Sequence, residues 1–204
     1  MNCRNFDYWW TQSSNVDRLH TAIAERRAIT FQYFDYDIQR KKVLRRRGQQ
    51  YVVSPYGLIW NHDNYYLVAY GSLHREMRHY CVDKMMEISI TDLPLEGTEQ
   101  YPAFDIAAYG QKYFGMYSGE EVTVTLRGTR AMVGVILDRF GQDVILVPDG
   151  PDHFTVSIPL VLSPQFFGWL FALETELVLI APARAVSQYR ERLRLVQGQY
   201  LPDQ

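Results

Sequence analysis

Residues 51–70, YVVSPYGLIWNHDNYYLVAY, constrain this chain more than any other stretch. Val52, Val53, Leu58, Ile59 and Trp60 form one β-rich run, and Tyr65, Tyr66, Leu67, Val68 and Tyr70 form a second. Such side chains suit a pleated, half-buried surface. Between the runs stand Asn61, His62, Asp63 and Asn64, whose short polar side chains bond to local backbone and tolerate positive φ. Two strands and a tight turn follow. Pro55 and Gly57 predict a bend or bulge in the first strand. The hairpin holds five tyrosines and a tryptophan, which can bury a ring and still offer a polar tip.

The preceding residues predict further strands. Val16, Leu19, Ala22 and Ile23 share a helical face, with Asn15 as the expected cap and an end near Arg27. Residues 29–36, ITFQYFDY, read as a strand. Residues 40–47 read as a basic strand, in which alternation would send Arg46 to the opposite face from Arg45 and Arg47. MRHYCVD and MEISI follow the hairpin. About five antiparallel strands after one helix predict a small closed barrel.

The second half has a different rhythm. VTVTLRG, a helix over 129–140 ended by Gly141, DVILVPDG, HFTVSIPLV, a helix capped by Ser163 with Pro164 first, LVLIAP and a closing helix over 183–197 give β-α-β-β-α-β. That order is ferredoxin-like. The expected fold class is therefore α+β. The expected divisions are an arm at 1–14, a barrel domain at 15–95, a linker at 96–119 marked by Gly97 and Pro102, and an α/β domain at 120–204. Phe166, Phe167, Trp169 and Phe171 crowd one helix and suggest core packing or a dimer interface.

Composition narrows the function classes. The chain has 204 residues, is 47% hydrophobic and carries a net charge of −2. Residues 1–95 hold 13 Lys/Arg against 10 Asp/Glu, a net +3; residues 96–204 hold 8 against 13, a net −5. Only the first half is biased toward an anion. Cys3 and Cys81 are too few for a disulfide framework and fit a reducing cytosol. No apolar run reaches the roughly 20 residues of a membrane helix, and the start lacks a signal peptide's apolar core, so a cytoplasmic location is expected. His79 and Cys81 sit two apart and could pair as base and nucleophile or as metal ligands. A buried structural cysteine is the commoner case. With no P-loop, GxGxxG, GxSxG or HExxH, the reading is of a non-enzyme without metal or cofactor.

Tyr65-Tyr66-Leu67 after a Ser-Pro-Tyr strand, flanked by ITFQYFDY, YVVSPYGLIW and MRHYCVDKM, resembles the WYL domain, with tyrosine where the family's namesake has tryptophan. EVTVTLRG, DRFG, FTVSIPLVLSPQFFGWL and LVLIAPA resemble the WYL C-terminal extension. The resemblance implies an Sm-like, SH3-type barrel from a bacterial transcriptional regulator that senses a nucleotide-like or oligonucleotide ligand. It places the ligand on Tyr56, one of Tyr65 or Tyr66, Arg78 and Lys84, with Cys81 in the place of a further cation. Read by themselves, Arg45, Arg46 and Arg47 could form an electropositive rim for a phosphate, alternation keeping Arg45 and Arg47 together. A homodimer is expected. The alternative is an Sm-like protein that binds single-stranded RNA or DNA directly. The sequence departs from the family at Cys81, where a second arginine is usual, and at Lys84, where a third is. Cys81→Arg is expected to strengthen binding if that side chain faces the ligand. A helix-turn-helix does not fit in the residues before Val16, so DNA contact would need another module.

Overall fold

The computed structural model describes residues 4–61, 63–116 and 120–200, with side chains from residue 14. Cys3 and His62 lie outside the described residues. The chain divides into two compact units, Met1–Gly110 and Gln111–Gln204.

In the first unit, helix α1 spans Arg4–Ala24. The expected arm over 1–14 is therefore helical from Arg4, and Asn15 lies inside the helix rather than at its start. Its side chain does other work: the amide donates to the Met85 carbonyl at 3.2 Å. Arg18 likewise donates to the Ile88 carbonyl at 3.0 Å. These two bonds lay the helix along the last strand of the unit. Leu19 and Ala22, one turn apart, are fully buried.

Six strands follow: β1 Arg27–Tyr36, β2 Lys42–Leu44, β3 Tyr51–Asn61, β4 Asn64–Gly71, β5 Glu76–Cys81 and β6 Met85–Pro94. The sheet order is β2-β1-β3-β4-β5, with β6 also on β1, and all the pairs are antiparallel. The β3–β4 hairpin closes through Asn61 opposite Asn64, with Asp63 at φ 61. Its register shifts between Pro55 and Gly57, so Tyr56 is the bulged residue.

Strand β1 changes partner along its length. Ile29–Phe31 pair with β3, while Phe34–Tyr36 pair with β2. The sheet thus curls into a half-barrel. Among the described ladders, β5 pairs only with β4 and β6 only with β1, so the expected closure does not occur. A short turn at Val82–Lys84 replaces the missing ladder. Phe31, Ile29, Leu67, Val82, Met85 and Ile88 fill the concave side.

The second unit is a four-stranded antiparallel sheet of β7 Glu121–Thr129, β8 Leu146–Pro148, β9 His153–Val161 and β10 Leu177–Ala181. The strand order is β10-β7-β9-β8. Helices α3 Val133–Phe140, α4 Pro164–Ala172 and α5 Ala183–Gly198 complete it; α2, Ile106–Lys112, begins within the first unit. Ser163 caps α4 by accepting from the Phe166 N–H at 3.2 Å. Phe166 and Phe167 are buried, whereas Phe171 is 62% exposed.

Candidate functional site

Strand alternation sends Phe31 and Tyr33 of β1 to the concave side. Tyr51, at the start of β3, and Tyr80, on β5, come to the same place. Tyr33 stands 6.1 Å from Tyr51 and 5.7 Å from Tyr80, ring centre to ring centre, and Tyr51 stands 5.7 Å from Tyr80. Phe31 closes the group beneath, 5.1 Å from Tyr51 and 5.0 Å from Tyr80. Each tyrosine is 7–8% exposed, so the bodies are core and only the rims meet solvent. Burial pushes the Tyr33 and Tyr80 phenols up, so both stay neutral.

The predicted basic strand covers this group in an unexpected way. Only Lys42–Leu44 is strand; Arg45–Gly48 forms a tight turn in which Arg46 has φ 51 and Arg47 has φ 55. Strict alternation therefore fails at Arg46. The Arg45 guanidinium lies over the Tyr33 ring at 5.1 Å, and that of Arg46 over Tyr51 at 4.2 Å. Both gain cation–π attraction, about 0.5–1 kcal/mol each at an exposed site. Gln32 holds the turn by donating to the Gly48 carbonyl at 2.7 Å.

Asp35 gathers two of the candidate cations. Arg45 forks onto its carboxylate through Nε and, at 3.1 Å, through Nη2. Lys84 reaches it at 3.3 Å. The Arg45 hydrogen bond is the main reason that the Asp35 carboxyl is held below its ordinary range; Lys84 adds to it, against some burial. Among the described residues, Arg46 and Arg47 have no acidic partner. Arg78 shares the face of Tyr80 on β5 and pairs with Glu76 at 2.6 Å. Its charge opposes the burial that raises Tyr80. Arg45, Arg46, Arg78 and Lys84 thus surround one aromatic floor.

The other expected site residues divide by the pleat. Tyr65 packs against the concave core and meets Trp60 edge-on at 4.8 Å. Tyr66 lies opposite Cys81, and Val68 opposite His79, so these four occupy the convex face. Cys81 is half-buried, its thiol pushed up by burial, and its Sγ points to Asn64 Oδ1 at 3.9 Å. An arginine there would leave on the wrong side of the sheet from Arg78, which removes the reason to expect Cys81→Arg to complete the cation set. His79 shares that convex face but bonds Tyr109 Oη at 2.9 Å. Tyr56 also faces away from Arg78: its ring meets Phe104 at 5.4 Å, and its hydroxyl donates to the Glu96 carbonyl at 2.9 Å.

Sequence reasoning missed Tyr33, Tyr51, Tyr80 and Asp35, and alternation set Arg46 on the opposite face from Arg45. The two-residue spacing of Phe31 and Tyr33, and of Arg78 and Tyr80, carries part of that signal. The peptide N–H of Cys81 donates to the Tyr33 hydroxyl at 3.0 Å, a link that no spacing reveals.

Residues 14–90 match the family model described as the WYL domain. They run from α1 into β6. No curated protein matches the chain. Among solved structures, a CRISPR Cas-related protein is similar over 93% of this chain and 52% of its own, at 13% identity and a TM-score of 0.52. Proteasome accessory factor B/C (PafBC) of Arthrobacter aurescens aligns over 94% of this chain and 28% of its own, at 18% identity and a TM-score of 0.38. The chain spans about half the length of the first and under a third of the second. The first likeness is one of fold. Among the described residues, no helix is long and apolar enough to cross a membrane.

Proposed function

We propose that this chain is the ligand-sensing regulatory part of a cytoplasmic WYL-type transcriptional regulator, without catalysis of its own. Its ligand is a nucleotide or short single-stranded oligonucleotide, bound on the Tyr33–Tyr51–Tyr80 face. The half-barrel is an Sm-like WYL barrel. The second unit is the family's C-terminal extension, a ferredoxin-like sandwich whose strand order β10-β7-β9-β8 supports that reading. Dimerisation falls to this unit, where Phe171, Leu195 and Val196 are exposed.

The observation that carries the reading is the pair of guanidinium groups stacked on Tyr33 and Tyr51, one of them without an acidic partner among the described residues. Arginine forks suit phosphate oxygens, and guanidinium planes stack on bases. A phosphate that takes Arg45 must compete with Asp35. Because β1 carries Asp35 and the turn after β2 carries Arg45, that exchange alters the grip between the two strands. A ligand that favours one arrangement over the other shifts the population between them.

The test is fluorescence anisotropy with a fluorescein-labelled octathymidylate at two salt concentrations. Arg45→Ala/Arg46→Ala weakens binding by about tenfold or more and flattens the salt dependence. Equal binding by the wild type and the double variant rejects this face as the site.

A further inference from the structure

The convex side of the half-barrel holds a second feature, separate from the cationic face. After β6 the chain turns back across the sheet through residues 95–110. Glu96 is pinned twice: its N–H donates to the Ser54 hydroxyl at 2.8 Å, and its carbonyl accepts from Tyr56. Gly97, at φ 82, sits flat on Tyr70; a Cβ there would come 2.7 Å from the ring. Ile106 lies so close to β3 that a Cβ on Gly57 would meet it at 2.7 Å. Between these fixed points the strap and the sheet border an open cleft of about 620 Å³.

Tyr56, Tyr101 and Phe104 line one side, mutually edge-to-face at 5.4–6.3 Å, with Pro55, Leu95 and Ile106 nearby. Two charged residues also line it, Arg26 and Asp105. Asp105 is committed, since its carboxylate accepts from the N–H groups of Ala107 at 2.8 Å and Ala108 at 3.2 Å. Arg26 has no acidic partner among the described residues, and its backbone is held at φ 54 between α1 and β1. The Tyr56 hydroxyl feels both its own burial, which pushes it up, and the charge of Arg26, which opposes that. The uncommitted charge at the cleft is therefore positive, and three rings stand in a lining that is otherwise largely polar.

We propose that this cleft is a small-molecule site for an apolar aromatic anion, whose ring lies against Tyr56, Tyr101 and Phe104 and whose carboxylate or sulfonate meets Arg26. The volume is within the roughly 300–1,000 Å³ of small-ligand pockets, and the three rings with one cation offer an aromatic anion both a face and a counter-charge. The site is on the opposite face from Arg45 and Arg46, so it is independent of the oligonucleotide reading. An occupant would tie the strap to the sheet.

The probe is anilinonaphthalene sulfonate, an aromatic anion whose fluorescence rises on burial, with neutral phenylnaphthylamine as its uncharged counterpart. Each is titrated into the full chain as wild type, Ala103→Trp, Arg26→Gln and Phe171→Ser. Ala103 lines the cleft, so tryptophan fills it. Phe171 lines a separate apolar groove in the second unit and controls for binding there. The expected result is saturable binding of both probes that Ala103→Trp removes and Phe171→Ser leaves intact. Arg26→Gln weakens the anion by about tenfold and leaves the neutral probe unchanged, the loss of one charge-assisted contact. Far-UV circular dichroism checks folding; should Ala103→Trp misfold, the contrast between the two probes in Arg26→Gln decides. Anion binding that is unchanged in Arg26→Gln, or that disappears in Phe171→Ser, overturns the proposal.

Discussion

The two units solve the same packing problem with different rings. In the second, Phe114, Phe140, Phe166 and Phe167 fill the core with Leu126, Ile136 and Leu160. In the first, the rings beside Phe31 are Tyr33, Tyr51 and Tyr80. A phenyl ring has nothing to satisfy and can be sealed. A tyrosine brings a hydroxyl that needs a partner, even where the ring is as buried as Phe140 is in the second unit. Tyr33 meets that need with a backbone N–H, and Arg45 and Arg46 cover the ring faces. The second unit has two parallels: half-buried Arg139 over Phe114 at 4.1 Å, which spends a hydrogen bond on the Tyr113 carbonyl, and exposed Arg192 over Phe167 at 5.3 Å. The difference is one of grouping: in the first unit two neighbouring arginines cover two neighbouring tyrosines, whereas Arg139 and Arg192 cover separate phenylalanines.

The hardest blow to this contrast is Phe166→Ala. The side chain is fully buried, and the cavity left behind costs about 3–5 kcal/mol. Urea denaturation followed by circular dichroism reads the loss, while oligonucleotide binding by the first unit persists. If binding collapses as well, the units are not separable in function. Next comes Tyr33→Phe. It leaves the Cys81 N–H without its partner and costs about 1–3 kcal/mol by the same measurement. No change would mean that the tyrosine group is mere packing.

Asp35→Asn sharpens the comparison from the other side. It removes the carboxylate that occupies Arg45 and Lys84. Octathymidylate then binds several-fold tighter, with a steeper salt slope, because two more cations are released for phosphate. Weaker binding would show that Asp35 positions the arginine rather than competing for it. The smallest effect is on acid stability. The folded-state carboxyl of Asp35 titrates below its ordinary value of 3.8. Its stabilisation is therefore complete above the unfolded value, and it fades as pH falls through the folded one. The side chain is 40% exposed, so the contribution is modest. Asp35→Asn flattens the pH dependence of stability below about pH 4; an unchanged acid limb would place the sensitivity elsewhere.

The hairpin and the strand–helix order of the second unit were legible because periodicity and turn chemistry agree there. Ser163-Pro164 names a helix start by itself, and Asn61–Asn64 names a turn. The arginine turn was not legible. Left-handed backbone is ordinarily announced by Gly or Asn, and here Arg46 and Arg47 adopt it with only Gly48 beyond them. Tertiary contacts with Tyr51 and Gln32 hold it instead. The helix start was misplaced for a similar reason: Asn15 has a capping side chain, but its partner is on β6, 70 residues away. Tyr56 belongs to the opposite face from Arg78 because the bulge beside Pro55 breaks the count of two.

Two consecutive arginines in the left-handed region carry a conformational cost of roughly 1–2 kcal/mol each. Replacing either with glycine would relieve it. A screen for heat resistance alone would therefore enrich Arg47→Gly before Arg46→Gly, since Arg46 also covers Tyr51, and so discard a cation that lacks an acidic partner among the described residues. Thermal selection and ligand selection pull this four-residue turn in opposite directions. Variants sorted by melting temperature would drift toward a firmer half-barrel with a blank face.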